Sequence, residues 1–136
     1  MQAQKVAERL AAALDAEDYE AVGRLLSAEC VYHSPESPLV GPAAIIASYR
    51  GHGASGRDRF EKIEYASQVG EKSPTEATIT FFDRVKQNGR WHEFRCRQHV
   101  SIDADGNVTE IRHEEIPSER ERLREFESGF GRAGRQ

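Results

Sequence analysis

Residues 78–116 read as three consecutive antiparallel strands, and this stretch limits the folds open to the chain more than any other. Two turn signals divide it: Asn88-Gly89 suits a two-residue hairpin, and Asp105-Gly106 sits in a slightly longer loop. The middle strand then covers about residues 91–103 and, at roughly 3.3 Å per residue, would be about 40 Å long if straight. A chain of 136 residues folds to a radius of gyration of only about 14 Å, so a straight strand would cross the whole protein. The sheet must therefore curve. A curved sheet closed by helices has a hollow side, and that hollow is the place to look for function.

The length fits one domain over residues 1–136 and is too short for two. A net charge of -4 with acidic and basic residues interspersed gives no basic footprint for nucleic acid. No apolar run approaches a membrane span, and Lys5, Glu8 and Arg9 among the first alanines are unlike a signal peptide, so no membrane partner and a cytoplasmic location are expected. Cys30 and Cys96 are far apart and match no metal spacing; they read as small buried thiols rather than a disulfide.

Ahead of the meander, Val6, Leu10, Ala13 and Leu14 recur at helical spacing and leave Glu8, Arg9 and Asp15 to solvent. A break at Ala16 and Glu17 leads to a second helix with Tyr19, Val22, Leu25 and Leu26 as its apolar stripe. Residues 30–33 form a brief extended run stopped by Ser34-Pro35 and Pro38, and Gly41-Pro42 opens a third helix that buries Ile45, Ile46 and Tyr49. The glycine-rich residues 51–56 lack the lysine of a phosphate-binding loop and read as a flexible connection. Residues 59–69 form a strand anchored by Phe60 and Ile63, turned by residues 70–74 into the meander. At the other end Pro117-Ser118 starts a final short helix, with Ser118 and Glu121 as a capping box, Leu123 and Phe126 as its apolar grip, and Glu119 with Arg122 on its solvated side. Residues 129–136 read as a loose tail.

The order of elements, with LAAALDAEDYEAV, then VYHSP, then VGPAAI, resembles the nuclear transport factor 2-like superfamily and its SnoaL-like, ketosteroid isomerase-like branch. The resemblance covers nearly the whole chain, from Val6 to about Phe126, and implies an α+β fold: a cone-shaped, strongly curved antiparallel sheet closed by three N-terminal helices, with a short C-terminal helix. Matched residue by residue, the isomerase general-base aspartate falls on Ser34, its oxyanion-hole tyrosine on Leu10 and its protonated aspartic acid on Gln98. Serine cannot serve as the carboxylate base and leucine cannot donate a hydrogen bond, which argues against that isomerisation mechanism.

The same match fixes which strand face looks inward, because side chains alternate along a strand. His92, Phe94, Cys96, Gln98, Val100 and Ile102 then face the hollow, with Arg95, Arg97 and His99 outside. Ile79, Phe81, Asp83 and Val85 face in from the preceding strand, and Ile111, His113 and Glu115 from the following one. The expected lining is Leu10, Ser34, Phe81, His92, Phe94, Cys96, Gln98 and Ile111. The expected catalytic set is His113 as acid or base, with Asp83 or Glu115 orienting it. His33 is placed at the rim and Tyr32 in the core. His92, His113 and a carboxylate stand at no recognised ligand spacing, so neither metal nor cofactor is expected. The function that follows is binding of a small, largely apolar organic molecule, with proton-transfer chemistry of the isomerase, cyclase or dehydratase kind. The competing reading is a noncatalytic dimeric binding or scaffold module. Convergence of Asp83, His113 and Glu115 favours the first, and a hollow plugged by Phe81 and Phe94 the second. On the outer face Glu93, Arg95 and Arg97 lie across from Glu110, Arg112 and Glu114 as a charge ladder, and Phe82, Arg95, Arg97 and His99 stand on a surface that no helix remains to cover, so a homodimer is expected there.

Overall fold

The computed structural model of the chain describes residues 2–133, with side chains described as far as Gly129. Its elements run α1 (Gln2–Asp15), α2 (Tyr19–Leu25), β1 (Leu26–His33), β2 (Leu39–Val40), α3 (Pro42–Arg59), β3 (Lys62–Ser73), β4 (Glu76–Gln87), β5 (Arg90–Ile102), β6 (Val108–Glu115) and α4 (Glu119–Ala133). The strands make one curved, unclosed sheet in the order β2-β1-β6-β5-β4-β3. All neighbours are antiparallel except β1 and β6, which pair in parallel, so the sheet is mixed. No helix among the described residues is long and apolar enough to cross a membrane.

Alternation along β5 builds the layers. Gln98, Val100 and Ile102 are buried and His99 and Ser101 between them half-buried, whereas Glu93, Arg95 and Arg97 before them are exposed. The inner face is covered by α1, which packs across β3 and β4 and buries Ala3, Val6, Ala7, Leu10, Ala11 and Ala13, a helical stripe with small residues where helix and sheet come closest. Asn88 and Gly89 both have positive φ (50° and 78°), the conformation a two-residue hairpin needs to follow strand twist. The outer face of β3–β5 carries no helix over Glu64, Arg84, Glu93, Arg95 and Arg97, all of which are exposed.

Several local expectations are corrected. Residues 51–56 continue α3 instead of forming a loop. The glycines cost helix propensity, about 1 kcal/mol each, but a Cβ on Gly53 would stand 2.9 Å from Glu17 Oε2 and one on Gly56 3.0 Å from Ile63 Cδ1. Close packing of α3 on its neighbours thus outweighs propensity. β3 runs on to Ser73, so its turn lies at Pro74 and Thr75. β1 begins at Leu26, ahead of the expected run, because Leu26 and Cys30 both reach the core. Ser118 has φ +73°, unlike the extended backbone of an N-cap. Glu119 is buried at 4% exposure instead of solvated: Oε1 accepts the Arg95 N–H at 2.8 Å and Oε2 accepts from Arg122. β6 pairs with β5 only from Cys96 onward, and the Glu119 carboxylate satisfies the Arg95 N–H left over just beyond. α4 continues to Ala133 through part of the expected tail, and 134–136 lie outside the described residues.

The glycines give a test of this packing. Gly51 has open space around its Cβ position, so Gly51→Ala should stabilise the protein by about 0.5–1 kcal/mol and raise its melting temperature by a few degrees. Gly106 has φ +83° and a Cβ there would meet the Gln2 side chain at 2.6 Å, so Gly106→Ala should lower it. Scanning calorimetry of both variants checks the pair; equal shifts would mean the loop and helix assignments are wrong.

Candidate functional site

Between the sheet's inner face and helices α1, α2 and α3 lies a cavity of about 150 Å³. Its wall takes Leu14 and Asp15 from the end of α1, Glu17 from the break that follows, Tyr19 from α2 and Tyr32 from β1. Ser48, Tyr49, His52 and Gly53 come from α3, Ile63 and Tyr65 from β3, Phe81 and Asp83 from β4, Cys96 and Gln98 from β5, and His113 from β6.

One side of the cavity is a closed polar network around Gln98, itself 4% exposed. Tyr49 Oη donates to Gln98 Oε1 at 2.6 Å, and Gln98 Nε2 donates to Tyr32 Oη at 3.1 Å and, at a longer 3.4 Å, faces His113 Nδ1. An amide N–H aimed at Nδ1 makes that nitrogen the acceptor and places the proton of the neutral ring on Nε2. Burial lowers the His113 pKa; Glu115 pulls it back up, while His52 and Arg120 push it further down. Burial also raises the Tyr32 hydroxyl to about 12 and the Tyr49 hydroxyl well above its usual range. The Cys96 thiol is pushed up to about 12 by burial, then by Asp83 and Glu115, so it stays protonated and is no nucleophile near neutrality.

The side toward β3 is different. Asp83 has its pKa raised to about 6, first by burial and then by the carboxylate of Asp15. Neither a hydrogen-bond donor nor a cation contacts Asp83 among the described residues. Asp15 is itself raised by burial, partly offset by Ser67, whose hydroxyl donates to Oδ2 at 2.7 Å. Tyr65 stands directly opposite Asp83 on β3, and its phenol is pushed up to about 12 by burial, then by Glu17 and Asp83. Glu17 accepts from Arg57 and, at 3.3 Å, from Tyr19 Oη.

Of the residues singled out in the sequence, Asp83, His113, Phe81, Cys96 and Gln98 line this one cavity. Asp83 and His113 do not meet. His113 opposes Gln98, which opposes Ile79, so the two polar groups lie four residues apart along β4, about 13 Å if straight. The ring nitrogen faces Gln98 where a carboxylate was expected. Glu115 is turned away from the cavity, its Oε1 accepting from Arg120 Nε at 2.8 Å. Leu10 and Ile111 are wholly buried in the core. Ser34 lies at the corner after β1, where its Oγ accepts the Glu36 N–H at 3.2 Å. His92 lies beside a second apolar cluster of Phe60, Val85 and Phe126: it opposes Val85 in the ladder, its ring stacks on Phe126 at 5.0 Å, and its Nε2 is buried without a partner among the described residues. Phe94 is half-buried beside Asp83 in the ladder and outside the cavity wall, so Phe81 and Phe94 do not plug the hollow together. His33 pairs with Glu110 at 2.9 Å in an exposed position, and Tyr32, placed in the core from sequence, also reaches the cavity. Among the described residues no three His, Cys, Asp or Glu side chains gather closely enough to hold a metal ion.

Lining groups that the sequence reading missed include Asp15, Ser48, His52 and Tyr65. Tyr65 was legible, since residues 63, 65, 67 and 69 alternate with exposed neighbours. Asp15 was assigned to solvent although it follows Leu14 directly at the helix end. His52 and Ser48 depend on α3, and His52 could be placed only once the glycines were known to be helical.

The sequence profile described as a SnoaL-like domain matches residues 7–111. No curated protein sequence matches the chain. Among solved structures, Rv0760c from Mycobacterium tuberculosis in complex with estradiol-17β-hemisuccinate is 18% identical with a TM-score of 0.66, covering 87% of this chain and 96% of that one. An LEH-like epoxide hydrolase from M. tuberculosis is 16% identical, with a TM-score of 0.63 over 87% of this chain and 81% of its own. A computationally designed 17-OHP binder is 18% identical, with a TM-score of 0.63 over 87% and 93%. At such identities the structural likeness is one of fold, and the profile match carries the family: the chain belongs to the SnoaL-like domain family of the nuclear transport factor 2-like superfamily.

Proposed function

We propose that the protein binds a small, largely apolar organic molecule in this cavity and exchanges a proton with it through Asp83, chemistry of the isomerase, cyclase or dehydratase kind. The observation that carries this reading is a half-buried carboxyl group on the cavity wall, without a hydrogen-bond donor or cation among the described residues and with its pKa raised to about 6. A group titrating close to working pH serves well as either base or acid. His113, held by Gln98 with its proton on Nε2, offers a donor to an oxygen of the ligand, and Glu115 acts on it through space from its pairing with Arg120. The residues that would support the ketosteroid isomerase mechanism are absent, with Ser34, Leu10 and Gln98 in their places.

Size narrows the ligand. Pockets for drug-sized molecules measure about 300–1,000 Å³, whereas an apolar cavity of about 150 Å³ takes benzene. This cavity, also about 150 Å³, therefore suits a single-ring or short-chain compound better than the steroids named for two of the structural neighbours. Thermal-shift screening of single-ring compounds should find binders that raise the melting temperature, because only ligands of the native state do so. With a substrate in hand, Asp83→Asn should cut turnover by about a hundredfold to ten-thousandfold, and His99→Ala, on the outer face against Glu114, should change it little.

Asp83 also makes a prediction that needs no ligand. Its folded pKa of about 6 lies above the unfolded value of about 3.9. The native state thus binds this proton more tightly than the unfolded chain does. Stability from this group is present in full below about pH 4 and is lost as the pH rises through about 6. Asp83→Asn should therefore stabilise the protein at about pH 7.5 by about 1–3 kcal/mol, and the difference should vanish below about pH 4. Urea titrations at the two pH values check this. A variant less stable than its parent at the higher pH would mean that Asp83 has a structural partner.

We also propose a homodimer through the outer face of β4, β5 and β6, where Arg95 and Arg97 are exposed and no helix covers them. Light scattering at micromolar concentration should return the mass of two chains, and the mass of one would refute it.

A further inference from the structure

The charges facing the cavity do not balance. Asp15, Glu17 and Asp83 line it, and among the described residues no lysine or arginine does. The arginines nearby are committed elsewhere: Arg57 donates to Glu17, Arg120 to Glu115, and Arg50 lies over the Tyr19 ring at 5.1 Å. Asp15 has the Ser67 hydroxyl and Asp83 has no donor among the described residues, yet the two are close enough for one carboxylate to oppose ionisation of the other. Proton exchange with a neutral molecule needs only one carboxylate. A second one destabilises the fold and offers such a ligand nothing.

We infer that the molecule taken by this cavity carries a positively charged nitrogen, an ammonium on a single-ring or short aliphatic body, seated between Asp15 and Asp83 against the tyrosine rings. The inference rests on the proposal that the cavity is a ligand site and specifies the charge of what enters it. A cation between the two carboxylates removes their mutual repulsion and supplies the ionic partner that Asp83 lacks and Asp15 meets only with a hydroxyl, which neither a neutral nor an anionic ligand does. The walls agree with this chemistry. Tyr65 stands beside Asp83 in the ladder, and Tyr49, Tyr32 and Phe81 complete an aromatic surface whose ring faces attract ammonium groups. The His113 imidazole facing the same space does not compete, since burial lowers its pKa and keeps it neutral near pH 7.

Isothermal titration calorimetry with benzylamine, benzyl alcohol and benzoate, three molecules of nearly one shape and different charge, decides the matter. At about pH 7, benzylamine should bind at least about tenfold more tightly than benzyl alcohol, and benzoate should be the weakest. Run at about pH 6 in two buffers of different ionisation heat, benzylamine binding should release protons, because an incoming cation lowers the pKa of Asp83 and Asp15. Asp83→Asn and Asp15→Asn should each remove most of the preference for the amine while leaving the alcohol's affinity within about threefold. Equal or tighter binding of the alcohol or of benzoate overturns the inference and leaves the cavity standing as a ligand site, and so does an amine preference that survives both substitutions. Failure of all three to bind overturns the inference together with the proposal that the cavity takes a single-ring molecule.

Discussion

The buried amide of Gln98 is the contact on which the rest of the interior depends. A primary amide carries two donors and an acceptor with two lone pairs, and each group left unsatisfied in a dry interior costs about 1–3 kcal/mol. Tyr49 from α3, Tyr32 from β1 and His113 from β6 satisfy it, so three elements remote in sequence are held to β5 at one point. Beyond Gln98 toward the end of β5, Val100 and Ile102 join Leu10, Ile79 and Ile111 in the buried core. On the near side the sheet curves away from the helices and the cavity opens. Gln98 stands where the resemblance to ketosteroid isomerases places a protonated aspartic acid. An amide in that position cannot titrate, so a place used for catalysis in those enzymes serves here to join the sheet to α3.

Much of the fold was legible because it follows from repetition. Two turn signals fix three strands, alternation together with the anchor that the family resemblance supplies at position 98 gives the inner face of each, and the length of β5 forces curvature. Alternation gives the face, however, and only register gives the row. Asp83, His113 and Glu115 all lie on the inward phase, yet Asp83 is in the row of Tyr65 and Phe94, His113 in the row of Ile79 and Gln98, and Glu115 in the row of Phe81 and Cys96 at the end of β6. A single sequence shows no pairing between strands this far apart, so it could not say that Asp83 and His113 stand on opposite sides of one space. Long-range packing hid the rest. Gly53 and Gly56 look like loop residues until Glu17 and Ile63 occupy the volume their side chains would need, and Glu119 looks solvated until the end of β6 leaves the Arg95 N–H for it to accept.

The two sides of the cavity differ in a way that bears on function. Around Gln98 the polar groups are mutually satisfied, and the neutral forms of Tyr32, Tyr49 and His113 are the favoured ones. The β3 side gathers features that each oppose folding. Asp83 is half-buried without a donor among the described residues, Asp15 is raised by partial burial beside it, and Glu17, a residue with a Cβ, holds a positive φ of 55°. A left-handed non-glycine residue costs on the order of 1 kcal/mol. It persists here because the break between α1 and α2 is tied down by the Asp18 N–H to Ala13 and by Arg57 and Tyr19 on the Glu17 carboxylate. That turn carries the chain from Asp15, the last residue of α1, to Glu17, so that both reach the cavity wall.

Unfavourable features scattered over a structure need no common cause, but these three stand on one wall. The terms that keep them there are independent of one another: the α1 core, the α3 glycines that admit Glu17 and Arg57 at close range, and the β3–β4 register that sets Tyr65 against Asp83. Each could change without disturbing the Gln98 network on the other side. Had stability alone shaped this wall, an asparagine at 83 or an arginine within reach would relieve the repulsion at little cost to packing. The wall instead keeps two carboxylates close together with no cation between them. Such an arrangement is disfavoured when the cavity is empty and relieved when a complementary group arrives, so the free energy withheld from folding becomes available to binding.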